Sequence, residues 1–133
     1  MISYDYINEY IRKTIKNNIG ILPELEEYAR INHIPIVQPE VSRLLIVLGK
    51  LLKPRRILEV GTAIGYSAIL LSSVLEAGGR LDTIERYELM AEKARENIKS
   101  AGLEDTVAVI TGDALEVLEC LERKYDMIFL DAA

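Results

Sequence analysis

Four acidic residues stand at similar places from residue 59 onward: Glu59, Glu85, Asp113 and Asp131. Each lies in or directly after a short apolar run that ends in a turn, so each can sit at the tip of a buried strand. Around the first runs Glu59-Val-Gly-Thr-Ala-Ile-Gly-Tyr-Ser67. Gly61 and Gly65 carry no side chain, so backbone there can come close to a ligand. A carboxylate placed like Glu85 can accept hydrogen bonds from both hydroxyls of a ribose. Asp113, in Gly112-Asp-Ala114, could accept an adenine amino hydrogen or cap the helix that follows. Those roles are compatible.

The elements needed to bring these residues together are legible. Arg56 to Val60, Arg80 to Glu85, Thr106 to Thr111 and Tyr125 to Asp131 read as strands. Tyr66 to Leu75, Glu88 to Ala101 and Leu115 to Arg123 read as helices, the second ending at Gly102 in a left-handed cap. Strand alternating with helix predicts a parallel α/β sheet with right-handed crossovers. Ligands of such sheets lie beyond the carboxyl ends of the strands. The first 53 residues read as three helices, over 4–17, 22–32 and 39–52. Val41, Leu44, Leu45, Leu48 and Leu52 form the expected core face of the third. The expected organisation is a helical cap, 1–53, on a sheet unit, 54–133, together one compact body.

Composition excludes several classes. The net charge of −5 argues against wholesale binding of a phosphate backbone. The basic clusters Arg12, Lys13, Lys16 and Lys50, Lys53, Arg55, Arg56 read first as solvated surface and second as anion-docking patches. No apolar run approaches the roughly 18 residues of a membrane helix, and no membrane partner is expected. Cys120 is the only cysteine, which fits a reducing cytoplasm.

The glycine turn is Gly-x-x-x-Gly and lacks the third glycine of the dinucleotide fingerprint, so a dehydrogenase reading fits less well. An acidic pocket of Glu59, Glu85, Asp113 and Asp131 suits the sulfonium cation of S-adenosylmethionine. Bland roles stand beside these. Glu59 can cap a helix or face solvent, Glu85 can be a turn residue, Tyr66 can be core, and Asp131 can be a plain strand-end acid. His33, at a helix end, reads as structural.

Ile57-Leu-Glu-Val-Gly-Thr-Ala-Ile-Gly-Tyr-Ser67, Asp82-Thr-Ile-Glu85, Gly112-Asp-Ala114 and Tyr125-Asp-Met-Ile-Phe-Leu-Asp-Ala-Ala133 resemble the caffeoyl-CoA and catechol type of metal-dependent class I O-methyltransferase. The start, with Tyr6-Ile-Asn-Glu-Tyr-Ile11 and His33-Ile-Pro-Ile-Val37, is similar to the bacterial branch that includes the tRNA 5-hydroxyuridine methyltransferase. The resemblance implies a Rossmann-like sheet in the order 3-2-1-4 under an N-terminal helical cap. It implies that Val37, Gly61 and Ser67 lie along the methionine part of S-adenosylmethionine, with Tyr66 beside it. It puts Glu85 on the ribose, and Asp113 and Ala114 at the adenine. It makes Asp131 a neighbour of the cofactor's amino group, a ligand of Mg2+ and the catalytic residue. The implied methyl acceptor is 5-hydroxyuridine in tRNA, with a small catechol-like or phenolic compound as the alternative. A homodimer of the full-length protein is a further implication.

The family continues beyond Asp-Ala-Ala with a lysine, further strands and an Asp-Asn pair that completes the metal site. The chain therefore reads as a fragment, with a binding module lacking activity as a competing expectation. On that reading the last strand, apolar on both faces and interior in the family, becomes an edge prone to association.

Overall fold

A computed structural model describes residues 4–132. Residues 1–3, the start of the expected cap, and Ala133, the last residue of the final motif, lie outside the described residues.

Three helices lead: α1 (Asp5–Thr14), α2 (Leu22–Ile31) and α3 (Pro39–Leu52). Pro23 and Pro39 fall in the first turns of α2 and α3, where a missing N–H costs nothing. Strand and helix then alternate: β1 (Arg56–Val60), α4 (Tyr66–Ser72), β2 (Arg80–Glu85), α5 (Glu88–Ser100), β3 (Val107–Thr111), α6 (Ala114–Cys120) and β4 (Met127–Leu130). The four strands are parallel and ordered β3-β2-β1-β4, as expected. Gly102 has φ +69°, the left-handed value foreseen for the end of α5.

Strand side chains alternate between the faces, and that alternation assigns the core. Ile57 and Leu81 point into the larger cluster, with Leu25 of α2, Leu45 of α3, Leu71 of α4 and Ile98 of α5. Leu58, Val60 and Ile84 point the other way, toward Val117, Leu121 and Tyr125 around α6. Glu59, Thr83 and Glu85 share the parity of Ile57 and Leu81, so they face the α4 side.

β4 is joined to β1 across some 70 positions of sequence by backbone and side chain together. The Asp126 N–H donates to the Arg56 carbonyl at 2.8 Å. Its carboxylate accepts from the amides of Arg55 and Arg56 at 2.8 and 2.9 Å. Those two amides, backed by the Arg55 and Arg56 charges, hold the Asp126 carboxyl below its usual range. Nearby, buried Asp82 accepts from Arg123 at 3.1 Å and from the Tyr125 hydroxyl at 2.7 Å.

One packing expectation needs correction. The core face of α3 is Ser42, Leu45 and Gly49, not the full leucine stripe. The helix is rotated because Gly49 admits Val74, whose Cγ2 occupies the space a Cβ would take. Leu44, Val47, Leu48, Leu51 and Leu52 are left exposed. β4 is the sheet edge with an uncovered apolar face that its sequence led one to expect. Met127 is buried, but Ile128 and Leu130 are 58% and 70% exposed. They lie on the α6 side, where α6 packs against β2.

Candidate functional site at the strand ends

The carboxyl ends of the four strands and the extended segment 34–38 enclose a cavity of about 790 Å³, within the usual range for small-molecule sites. Its walls are mostly apolar, with Ile36, Val37, Met90 and Phe129 among them, and a few polar groups converge.

The turn after β1 forms the floor. Gly61 has φ +99°, and a Cβ there would collide with the Asp131 carbonyl. Gly61 is thus required by the close approach of the β4 end, whereas the sequence suggested approach of a ligand. Gly65, at φ +86°, opens α4 beside Ala94 and is not part of the cavity lining. Between them Ala63 holds φ +46°, a region costly for a residue with a Cβ. The Glu85 carboxylate supports that turn: Oε2 accepts from the Ala63 amide at 2.8 Å, and Oε1 accepts from the Tyr87 amide at 2.9 Å. Each carboxylate oxygen has a second lone pair for a ligand. Glu85 therefore shapes the turn and faces the cavity at once.

Ser67 and Tyr66, in the first turn of α4, line the cavity. The Tyr66 hydroxyl donates to Glu26 Oε1 at 2.7 Å and accepts from Asn18 at 2.9 Å, tying α4 to α2 and to the segment before it. Burial first, and the Glu26 carboxylate second, push that hydroxyl well above the ordinary phenol value. At the β3 end, Asp113 Oδ1 accepts from the Leu115 amide at 2.9 Å, so it caps α6 while lining the cavity beside Ala114. Asp131 borders the cavity at the β4 end.

Eight of the nine site residues named from the sequence line this cavity; Glu59 does not. Glu59 is fully buried under α4 because strand alternation turns it toward that helix. It accepts hydrogen bonds from Ser67 and, at 2.6 Å, from Thr83. Burial pushes its carboxyl up to about 7, against those two bonds and helped by the charges of Asp131 and Glu85. The helix-capping alternative came nearer, since Glu59 holds the first turn of α4 by a side chain. Sequence reasoning missed Thr62, Ala63, Arg86, Tyr87 and Met90 in the lining. Their position directly after strand ends, or one turn into α5, was the available signal.

Among the described residues, no group of three or more His, Cys, Asp or Glu side chains could hold a metal. Asp131 alone does not meet the octahedral oxygen set magnesium demands. The residues present do not fit that ion.

Glycine turn, acid on the second strand tip and helix-capping acid on the third define the ligand end of a Rossmann-like methyltransferase sheet. A family model described as O-methyltransferase matches residues 12–133, and the chain belongs to that family. It is 39% identical over 100 residues to the catechol O-methyltransferase of Niastella koreensis, covering 72% of this chain and 45% of that protein. The O-methyltransferase of Bacillus cereus solved with S-adenosylhomocysteine superposes with a TM-score of 0.84 at 36% identity, over 96% of this chain and 60% of that one. TomG of Streptomyces achromogenes, an O-methyltransferase of tomaymycin synthesis solved with S-adenosylmethionine, gives 0.85 at 33% identity, over 97% and 60%. The chain thus spans a little under half of the curated relative and about three-fifths of the two solved structures.

Proposed function

We propose that this chain is the cofactor-binding part of an S-adenosylmethionine-dependent O-methyltransferase acting on a hydroxyl of a small catechol-like or phenolic acceptor. The observation that carries the reading is the strand-end cavity in which Glu85 faces the ligand with both oxygens already oriented by backbone amides. When bound, the cofactor supplies a methyl group on a positively charged sulfur. Glu85 would accept from the ribose hydroxyls, and Asp113 with Ala114 would border the adenine. Val37, Gly61 and Ser67 would line the amino-acid arm, with Tyr66 beside it. Asp131 would accept from the ammonium group. Ile36, Met90 and Phe129 exclude water from one side. The division into a cap, 1–53, and a sheet unit, 54–133, is part of the proposal.

The tRNA reading is second. Arg12 is held by Glu40 and Gln38, and Lys13 by Glu9, so two of the three cations of the first basic cluster are already paired. Lys53, Arg55, Arg56 and Arg80, exposed together where β1 and β2 begin, favour phosphate contacts. The test is transfer of a radiolabelled methyl group to catechol and to tRNA lacking the modification, beside calorimetric titration with S-adenosylhomocysteine. Heat with S-adenosylhomocysteine and label on catechol support the first reading. Label on tRNA alone replaces it with the second. No heat with S-adenosylhomocysteine removes both.

A further inference from the structure

Between Glu40 and Glu59 the chain carries five cations, Arg43, Lys50, Lys53, Arg55 and Arg56, and no acid, although its net charge is −5. α3 fills most of that stretch and exposes Leu44, Val47, Leu48, Leu51 and Leu52. Steps of three and four residues put these five on one continuous stripe. The packing beneath fixes the stripe in place: Ser42, Leu45 and Gly49 face the core, so the flank bearing the leucines looks outward. Cations gather at its C-terminal end. Lys50, three residues after Val47, borders the stripe on the helix. Lys53 closes α3 in a left-handed turn at φ +49°, and Arg55 and Arg56 lead into β1. Arg80 is the strand partner of Arg56 and adds a further cation there. Arg43 is engaged by the Lys16 carbonyl and Asn18. Among the described residues, Lys50, Lys53, Arg55, Arg56 and Arg80 enter no ion pair. Asp126 lies beside Arg55 and Arg56, but its carboxylate is committed to their amides.

We propose that this face of α3 docks on an anionic lipid surface, with its leucines among the acyl chains and Lys50, Lys53, Arg55 and Arg56 against the head groups. The expectation of no membrane partner rested on the lack of a spanning run, and spanning is indeed excluded for α3. Its 14 residues reach about 21 Å at the helical rise, short of the roughly 30 Å hydrocarbon core. Lying in the interface asks for less: an apolar face of modest depth bordered by cations, which is the arrangement here. Charge complementarity selects this occupant. A nucleic-acid backbone would use the cations and leave five apolar side chains without a partner. A second copy meeting the first across a two-fold axis would bring the same cations face to face. Only a surface that offers negative charge above apolar depth matches both features. The inference is independent of what the strand-end cavity binds.

The experiment is flotation of the chain with two kinds of vesicle, phosphatidylcholine alone and equal parts of phosphatidylcholine and phosphatidylserine. Binding is expected to the mixed vesicles only, and to fall as salt screens the head groups. Lys50→Gln with Lys53→Gln is expected to weaken it about 25-fold, roughly fivefold for each cation lost. Leu51→Gln with Leu52→Gln is expected to weaken it about tenfold or more through lost apolar burial. All four positions are exposed, so the fold should persist, as circular dichroism checks. Leu44→Gln with Leu48→Gln, on the same stripe, is expected to repeat the loss. Several results would overturn the inference. One is a wild type that binds neither vesicle, or binds both equally. Another is a pair of leucine variants that bind as tightly as the wild type, which would leave charge alone, as in contact with a nucleic acid. The last is a wild type that ignores vesicles and is a dimer by light scattering, converted to monomer by Leu51→Gln with Leu52→Gln. That result would assign the stripe to a second copy.

Discussion

α4 buries six of its seven residues, from Tyr66 to Leu71, whereas α1 buries none. α4 crosses the sheet with strands beneath it and leading helices beside it, so every side of it has a partner. α1 touches α3 and leaves Tyr10 69% exposed. Polar groups follow the same division. Around β1 and β2, buried Glu59, Thr62, Thr83 and Glu85 find partners within the sheet and its first turns. The ion pairs of α1, Arg12 with Glu40 and Lys13 with Glu9, are at the surface, where solvent screening leaves them little to contribute. The strand-end half is organised around buried polar groups that must all be satisfied. The leading helices are held by one shared apolar seam and by the Tyr66–Glu26–Asn18 bonds.

The largest test of that contrast is pH. The folded Glu59 carboxyl is raised to about 7 from its ordinary value near 4.5. Folding therefore favours its protonated form. The contribution is fully present below about pH 4.5 and is lost as pH rises through about 7, by about 3 kcal/mol. Glu59→Gln is expected to flatten this fall, measured as urea unfolding free energies at pH 5 and pH 8. A wild-type slope that survives in the variant would show that Glu59 is not the group responsible. Next in size is Glu85→Ala, expected to weaken S-adenosylhomocysteine binding by about 1–3 kcal/mol through the lost charge-assisted bonds. Unchanged affinity by calorimetry would take Glu85 out of the site. Tyr66→Phe probes the joint between the two regions. Losing the bonds to Glu26 and Asn18 should cost about 1 kcal/mol of stability, while cofactor affinity stays within about threefold.

Legibility followed the same division. Strands and strand-end acids were readable because buried parallel strands carry unbroken apolar runs and a ligand end fixed by topology, whereas the strand order came from the family resemblance. The sheet-end position of Glu85 was readable too. The depth of Glu59 was not, although its parity with Ile57 carried the information: turn motifs draw attention to position along a strand and away from which face a residue takes. The α3 stripe misled because helical spacing says which residues share a face, not which neighbour fills it. The small residues Ser42 and Gly49, which allow close approach to Val74, carried less weight in the hydrophobic pattern than five large ones. β4 was legible as an uncovered edge, because its run is apolar on both faces, and Ile128 and Leu130 are exposed there.

The smallest expected effect on stability comes from the exposed side. Leu51→Lys, at a site 76% exposed, should change unfolding free energy by no more than about 0.5 kcal/mol. Its value lies in association: light-scattering chromatography should show less self-association in the variant if the α3 stripe is an interface. If association persists, the β4 edge with Ile128 and Leu130 is the remaining candidate, and Ile128→Lys tests it.

The Asp126 clamp also has a meaning in time. Its partners, the amides of Arg55 and Arg56, are synthesised 71 and 70 positions earlier. At roughly 5–20 residues per second, one edge of the strand that opens the sheet waits roughly 4–14 seconds on the ribosome before its neighbour exists. During that interval the neighbouring strands β2 and β3 can already join from the other side. The arriving segment then has to find its alignment beside a strand already paired on its other side. A one-position slip would turn Met127 outward and Ile128 inward. By seizing two consecutive amides at the very start of the pairing, Asp126 marks where the late strand must begin.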